Sequence, residues 1–163
     1  MPTFDAEAVD CRVSVFREGL MSSVGHDVDL RVTDLSLEVG EDDTITGKFQ
    51  TDSLQVVSQG PSESDKKDIQ RNAVKALSAQ KYPTIRFSST SVHRDGDRAK
   101  IEGDLTLNGV TNTISTEARD DGTHWVAEIT LDQTKFGLKP FSAMLGALKV
   151  KPEVKVTISV PRT

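Results

Sequence analysis

The stretch Ala99-Lys100-Ile101-Glu102-Gly103-Asp104-Leu105-Thr106-Leu107-Asn108-Gly109-Val110-Thr111-Asn112-Thr113-Ile114-Ser115-Thr116-Glu117-Ala118 decides the fold. Asn108-Gly109 is the preferred pair for a two-residue type I′ turn, whose two central positions both need positive φ. Counting outward from that turn sets the register. Leu107 faces Val110, Leu105 faces Asn112, Gly103 faces Ile114, Ile101 faces Thr116, and Ala99 faces Ala118. The intervening residues, from Lys100 and Glu102 to Ser115 and Glu117, are polar throughout. Side chains alternate between the faces of a strand. The stretch therefore predicts an antiparallel hairpin with one wet face and one face turned to an interior.

The same period of two continues on both sides. Cys11, Val13 and Val15 alternate with polar residues, as do Val28, Leu30 and Val32. Near Thr33-Asp34 the parity switches, and Leu35, Leu37 and Val39 continue it. That pattern predicts one long strand, Val28 to Val39, with a bulge or bend. Further strands follow at Ile45 to Gln50, from Thr84 with Ile85 and Phe87, from Thr123 to Leu131, and from Glu153 to Pro161.

Two segments break the rhythm. Ile69, Ala73, Ala76 and Leu77 recur at helical spacing, so Ser62 to Gln80 reads as an amphipathic helix capped by Ser62 or Ser64 and ended by Pro83. Its charged face, with Lys66, Lys67, Asp68, Arg71 and Lys75, reads as solvated. Pro140 followed by Phe141, Met144, Leu145 and Leu148 predicts a short helix with a greasy side.

About eight antiparallel strands with one apolar face close into a barrel or pair as a sandwich, and long strands favour the barrel. The fold class is thus all-β: an antiparallel eight-stranded lipocalin-like barrel, with one amphipathic helix and one short helix near the mouth. A barrel of that size is either filled by side chains or holds one small ligand. Small inward residues, Gly47, Ala99, Gly103, Ala118 and Ala127, favour the hollow form.

Composition removes several classes of function. The chain has 163 residues, 36% hydrophobic and 28% charged, and a net charge of -5. That is one globular domain's worth of chain, without the basic footprint of a nucleic-acid binder or of a protein docked on anionic lipid. No apolar run approaches the roughly 20 residues of a spanning helix, so stable membrane insertion is not expected. The acidic start, Met1 to Asp10, has no apolar core of a secretory signal, which points to the cytoplasm. One cysteine, Cys11, permits no intrachain disulfide and no thiolate zinc cluster. It lies on the apolar parity of its strand and reads as a buried, inert thiol.

Catalysis finds no support. No G-x-S-x-G, H-E-x-x-H, P-loop or dinucleotide fingerprint occurs. His93 and His124 read as exposed. His26 shares parity with Val28 and Leu30 and stands at the barrel rim, where it could meet a polar head group. Asp27 and Asp29 point to the other face, so the three do not form a metal site. The expectation is no catalytic residue, no metal and no cofactor.

The quoted hairpin, from Gly103 to Thr111, is similar to the G-D-L-T-L-x-G-V-T hairpin of the YceI-like family. Lys81-Tyr82-Pro83-Thr84-Ile85-Arg86-Phe87-Ser88-Ser89 resembles that family's Y-P-x-I-x-F-x-S strand, and Phe136-Gly137 matches its late F-G pair. The likeness runs from about Gly25 to the C-terminus. Gly19 to Asp27 stands where the family's Tyr and His-Ser landmarks occur. The resemblance implies a lipocalin-like barrel carrying an apolar long-chain molecule, a polyisoprenoid or a quinone tail. The expected tunnel lining is Val28, Leu30, Phe49, Phe87, Ile101, Leu105, Trp125 and Ile129, with Phe136, Phe141, Met144, Leu145 and His26 at the mouth. A filled barrel serving as a stress-related or protein-interaction module is the alternative, and an enzyme the third. The oligomeric state is left open, a homodimer included.

Overall fold

The structure is a computed structural model that describes residues 3–17, 28–140, 142, 143, 145 and 148–162. In chain order the strands are β1 (Thr3–Asp5), β2 (Asp10–Arg17), β3 (Val28–Val32), β4 (Leu35–Val39), β5 (Ile45–Gln50) and β6 (Leu54–Val56). Helix α1 (Glu63–Ala76) precedes β7 (Thr84–Asp95), β8 (Arg98–Leu107), β9 (Val110–Asp120), β10 (His124–Asp132), β11 (Ser142–Ala143) and β12 (Leu148–Pro161). Every ladder is antiparallel, and the sheet runs β1-β4-β5-β7-β8-β9-β10-β12-β2-β3-β6.

The two ends of this path are joined by the chain itself. β3 pairs with β6 while β4 pairs with β5. Only Thr33 and Asp34 separate β3 from β4, and only Thr51–Ser53 separates β5 from β6. Hydrogen bonds bridge the corner: Thr33 N donates to Ser53 O at 3.0 Å, and Gln50 N to Asp34 O at 2.9 Å. The curled sheet thus meets itself at a bent hairpin, and the short strands β1 and β6 are the ends of its path.

Among the described residues twelve strands stand where the sequence predicts about eight. The parity switch at Thr33-Asp34 is a corner at which one long strand breaks in two, and the Thr51–Ser53 turn breaks its partner likewise. Two short additions, β1 on β4 and β11 on β12, make up the difference.

The hairpin of β8 and β9 has the register read from its turn, with Leu107 facing Val110 and Ala99 facing Ala118. Asn108 and Gly109 both take positive φ, 55° and 72°. Gly109 has a second reason to be glycine: a Cβ there would stand 2.7 Å from the Tyr82 ring.

Helix α1 begins where expected. Ser62 is its cap, its side chain accepting from Asp65 N at 3.1 Å. Ile69 and Ala73 are buried beneath it. The helix stops well before Pro83, however. Ser78 takes φ 52° and its N–H turns back to Lys75 O, so a left-handed residue closes the helix and Pro83 has no part in it.

The short helix expected after Pro140 is reduced, among the described residues, to 3₁₀ geometry at Leu145. Ser142 and Ala143 instead pair with Lys149 and Leu148, and Leu145 sits at φ 55°. Ala143 is buried beside Val150 in one core cluster, which fits strand alternation and not a helical stripe. The last strand accordingly starts at Leu148 rather than Glu153.

Candidate functional site

The inward faces of the strands enclose a cavity of about 300 Å³. Its wall is mostly aliphatic and aromatic. Of the residues expected to line it, Leu30, Phe49, Phe87, Ile101, Leu105, Trp125, Ile129 and Phe136 do so. Val28 does not. It is buried with Ile69, Val56 and Val150 beneath α1, outside the lumen. Leu145 stands fully exposed and makes no part of the wall. His26, Phe141 and Met144 lie outside the described residues.

Sequence reasoning left out much of the wall. Val13 and Val15 of β2 and Val154, Val156 and Ile158 of β12 line it. Their alternation was visible, and ring closure through the pairing of β12 with β2 is what brings them round. The glycines also behave differently from expectation. A Cβ on Gly103 would lie 2.5 Å from Phe87, and one on Gly47 would lie 3.0 Å from Phe49. Those positions seat aromatic rings and leave no vacancy. The small residues that leave room are Ala99, Ala118 and Ala127, side by side on β8, β9 and β10.

The two ends of the cavity differ. At one end α1 lies across the barrel, with Ala73, Ala76 and Leu77 in the wall. Two polar side chains of the wall at this end are satisfied within the protein. Thr51 Oγ1 donates to Tyr82 O at 2.8 Å, and Gln133 Nε2 donates to Lys151 O at 3.3 Å. Two asparagines of the β8–β9 hairpin hold the segment before β11. Asn108 Nδ2 donates to Phe136 O at 3.0 Å and Asn112 Nδ2 to Lys135 O at 2.8 Å. They fix Phe136 against Leu105, Leu107 and Leu138.

The opposite end is formed by three hairpin turns and by the connection from β1 to β2, residues 6–9, with Val9 buried. Asp43 and Arg94 line the cavity there, with side chains 38% and 55% exposed. The cavity therefore meets solvent at this end. Arg94 Nη1 lies 3.7 Å from Asp43 Oδ1, and its guanidinium lies 5.2 Å from the centre of the Trp125 ring.

Cys11 faces the lumen from β2. Burial, with a smaller contribution from the neighbouring Asp10 charge, pushes its thiol up to about 12. Such a group is a neutral wall residue at physiological pH, not a nucleophile. Among the described residues no cluster of His, Cys, Asp and Glu could hold a metal ion. No described helix is long and apolar enough to cross a membrane.

Residues 7–161 match the sequence model of the YceI-like domain. The chain belongs to the YceI-like family. Among curated relatives, protein YceI of Shigella flexneri is 56% identical over 43 residues, 26% of this chain and 22% of that protein. Protein YceI of Salmonella arizonae is 33% identical over 99 residues, 58% of this chain and 52% of that protein. The match thus spans about half the length of the second relative and less of the first.

Solved structures share the YceI-like fold at low identity. BcnA of Burkholderia cenocepacia superposes with a TM-score of 0.72 at 12% identity, covering 98% of this chain and 99% of that one. A polyisoprenoid binding domain from Saccharophagus degradans gives 0.66 at 12% identity, covering 93% and 91%.

Proposed function

We propose that this YceI-like chain binds and carries a long apolar molecule, an isoprenoid or quinone tail, in its barrel lumen, without chemical turnover. The observation that carries the reading is the continuous apolar cavity of about 300 Å³, closed by α1 at one end and meeting solvent at the other. An apolar cavity of roughly 150 Å³ holds one benzene. Two such volumes correspond to roughly twelve carbons, or two to three isoprene units, and ligand pockets begin at about this size.

Energetics agree with that cargo. Each buried CH₂ contributes about 0.8 kcal/mol, so a five-carbon unit gains roughly 4 kcal/mol. Three units gain about 12 kcal/mol before association costs of roughly 4–15 kcal/mol. Recognition by length and apolarity suffices for useful affinity. The Saccharophagus degradans relative, described as a polyisoprenoid binding domain, supports the same choice of ligand.

The experiment is a titration of solvent-extracted protein with a fluorescent prenyl probe, repeated on Ile129→Trp. Ile129 lines the lumen opposite Val156, so the larger ring should block the tunnel at an overpacking cost of about 1–3 kcal/mol. Saturable uptake by the wild type and its loss in a folded Ile129→Trp variant is the expected outcome. Equal uptake by both would remove the lumen from the account.

A further inference from the structure

Asp43 and Arg94 are the only charged side chains that line the cavity among the described residues. Arg94 reaches the lumen because of a bulge. Ser89 faces Gly103 and Ser91 faces Glu102, so Thr90 is an extra residue in β7. The inward parity moves from Ile85 and Phe87 to Val92 and Arg94. Without that bulge His93 and Asp95 would point inward instead. Opposite Arg94 stands Ala99, beside Ala118 and Ala127. Their small side chains leave width at the mouth for a guanidinium and a ring.

We propose that Arg94, with Trp125 beneath it, is the head-group subsite of the lumen. It takes an uncharged head that accepts a hydrogen bond, a quinone carbonyl or an alcohol oxygen, in preference to a phosphate or carboxylate. The inference rests on the tail-binding function proposed above. A guanidinium carries five N–H donors, and the 3.7 Å approach to Asp43 is too long to be a hydrogen bond. Donors therefore remain for a ligand at the point where the tunnel meets solvent.

An anionic head would be repelled at the same place. Asp43 already neutralises Arg94. The four turns of this end carry Glu7, Glu41, Asp42, Asp43, Asp97 and Asp121, and neither Lys nor Arg. Neighbouring cations are engaged elsewhere. Arg98 is bonded to Glu117 at 2.6 Å and Arg162 to Asp120 at 3.1 Å. Arg119 points to the outer face, one residue beyond inward Ala118. The summed field at the mouth is negative, which penalises a phosphate and leaves a neutral head untouched.

The test uses Trp125, the sole tryptophan of the chain, as reporter. Solvent-extracted protein is titrated with four probes sharing one prenyl tail: the hydrocarbon, the alcohol, the benzoquinone and the monophosphate. The expected result is that quinone and alcohol bind about tenfold or more tighter than hydrocarbon, the gain of one hydrogen bond to a charged group. The phosphate binds weakest at low salt, and added salt narrows its deficit. Arg94→Gln removes the advantage of quinone and alcohol over hydrocarbon. Asp43→Asn raises phosphate affinity.

Equal binding of all four heads would overturn the subsite. So would tightest binding of the phosphate, particularly if Arg17→Gln abolished it. Arg17 continues the parity of Cys11, Val13 and Val15 at the helix end, and its Nε is buried without a hydrogen-bond partner. Failure of all four probes to bind, hydrocarbon included, would instead sink the tail-binding function itself.

Discussion

The ring of Phe87 occupies the place of the side chain that Gly103 lacks. A Cβ at Gly103 would meet Phe87 Cζ at 2.5 Å, Phe87 Cε1 at 2.7 Å and Ser88 O at 2.6 Å. Phe87 lines the lumen, so the glycine shapes one wall of the cavity by making room for the ring beside β8.

Gly103→Ala should therefore destabilise the fold by about 1–3 kcal/mol through overpacking. Phe87→Leu in the same chain should recover part of that cost, because the smaller side chain can withdraw. Urea denaturation of the two single variants and the double variant would give a coupling of at least about 0.5 kcal/mol. Strict additivity would mean that ring and glycine do not interact.

Gly96 and Gly109 allow a controlled comparison. Both have positive φ, 62° and 72°, but nothing lies within 4 Å of a Cβ at Gly96, whereas Tyr82 lies 2.7 Å from one at Gly109. Gly96→Ala should cost only the left-handed backbone, about 1–2 kcal/mol. Gly109→Ala should cost more, since the Tyr82 ring must also move. Equal shifts in the denaturation midpoint would show that the Tyr82 contact carries no energy.

Cys11 should resist thiol reagents at pH 8 in the native protein and react on unfolding, since its thiol is raised to about 12. The sign of the linked stability follows. Below about pH 8.5, near the unfolded value, this contribution is fully present. It is lost as pH rises toward the folded value, because only the unfolded chain releases the proton. Denaturation midpoints from pH 8 to 11 should fall more steeply for wild type than for Cys11→Ala. Parallel curves would contradict the burial of the thiol.

Asp132 and Asp121 act in the opposite sense. Asp132 accepts from Thr134 Oγ1 at 2.6 Å and Thr134 N at 2.9 Å, and Asp121 accepts from Thr123 N at 2.9 Å and His124 N at 2.7 Å. These bonds hold both carboxyls below their usual value of 3.8. The stability they lend is present above about pH 4 and disappears as pH falls through the lowered folded values. Asp132→Asn should be less stable than wild type at pH 7, and the two should converge near pH 2. A constant gap across that range would exclude a contribution from the carboxylate's charge.

Much of the barrel was legible because its hairpins announce themselves. Asn108-Gly109 set the β8–β9 register, and the alternation of Trp125, Ala127 and Ile129 placed β10. Two features were not. Phe141, Met144, Leu145 and Leu148 have helical spacing, yet Ser142 and Ala143 pair with β12. Local periodicity does not contain that long-range pairing. The Arg94 mouth was missed for a related reason. A search for lining residues by apolar alternation stops at Phe87, and the bulge at Thr90 reverses the parity beyond it. Val92, apolar on the wrong parity, was the visible trace of that bulge. The break of β3 from β4 showed as a parity switch, but whether a switch is a bulge or a corner depends on which strands lie alongside.

The central claim is that the lumen shelters an apolar chain. Native mass spectrometry of the purified protein, before and after organic extraction, with mass analysis of the extract, tests it most directly. The account predicts a mass excess that extraction removes, an extract rich in a long hydrocarbon-tailed molecule, and a return of the excess when a prenyl compound is added back. A protein that shows its bare sequence mass throughout, and still does so after incubation with prenyl compounds, would contradict it.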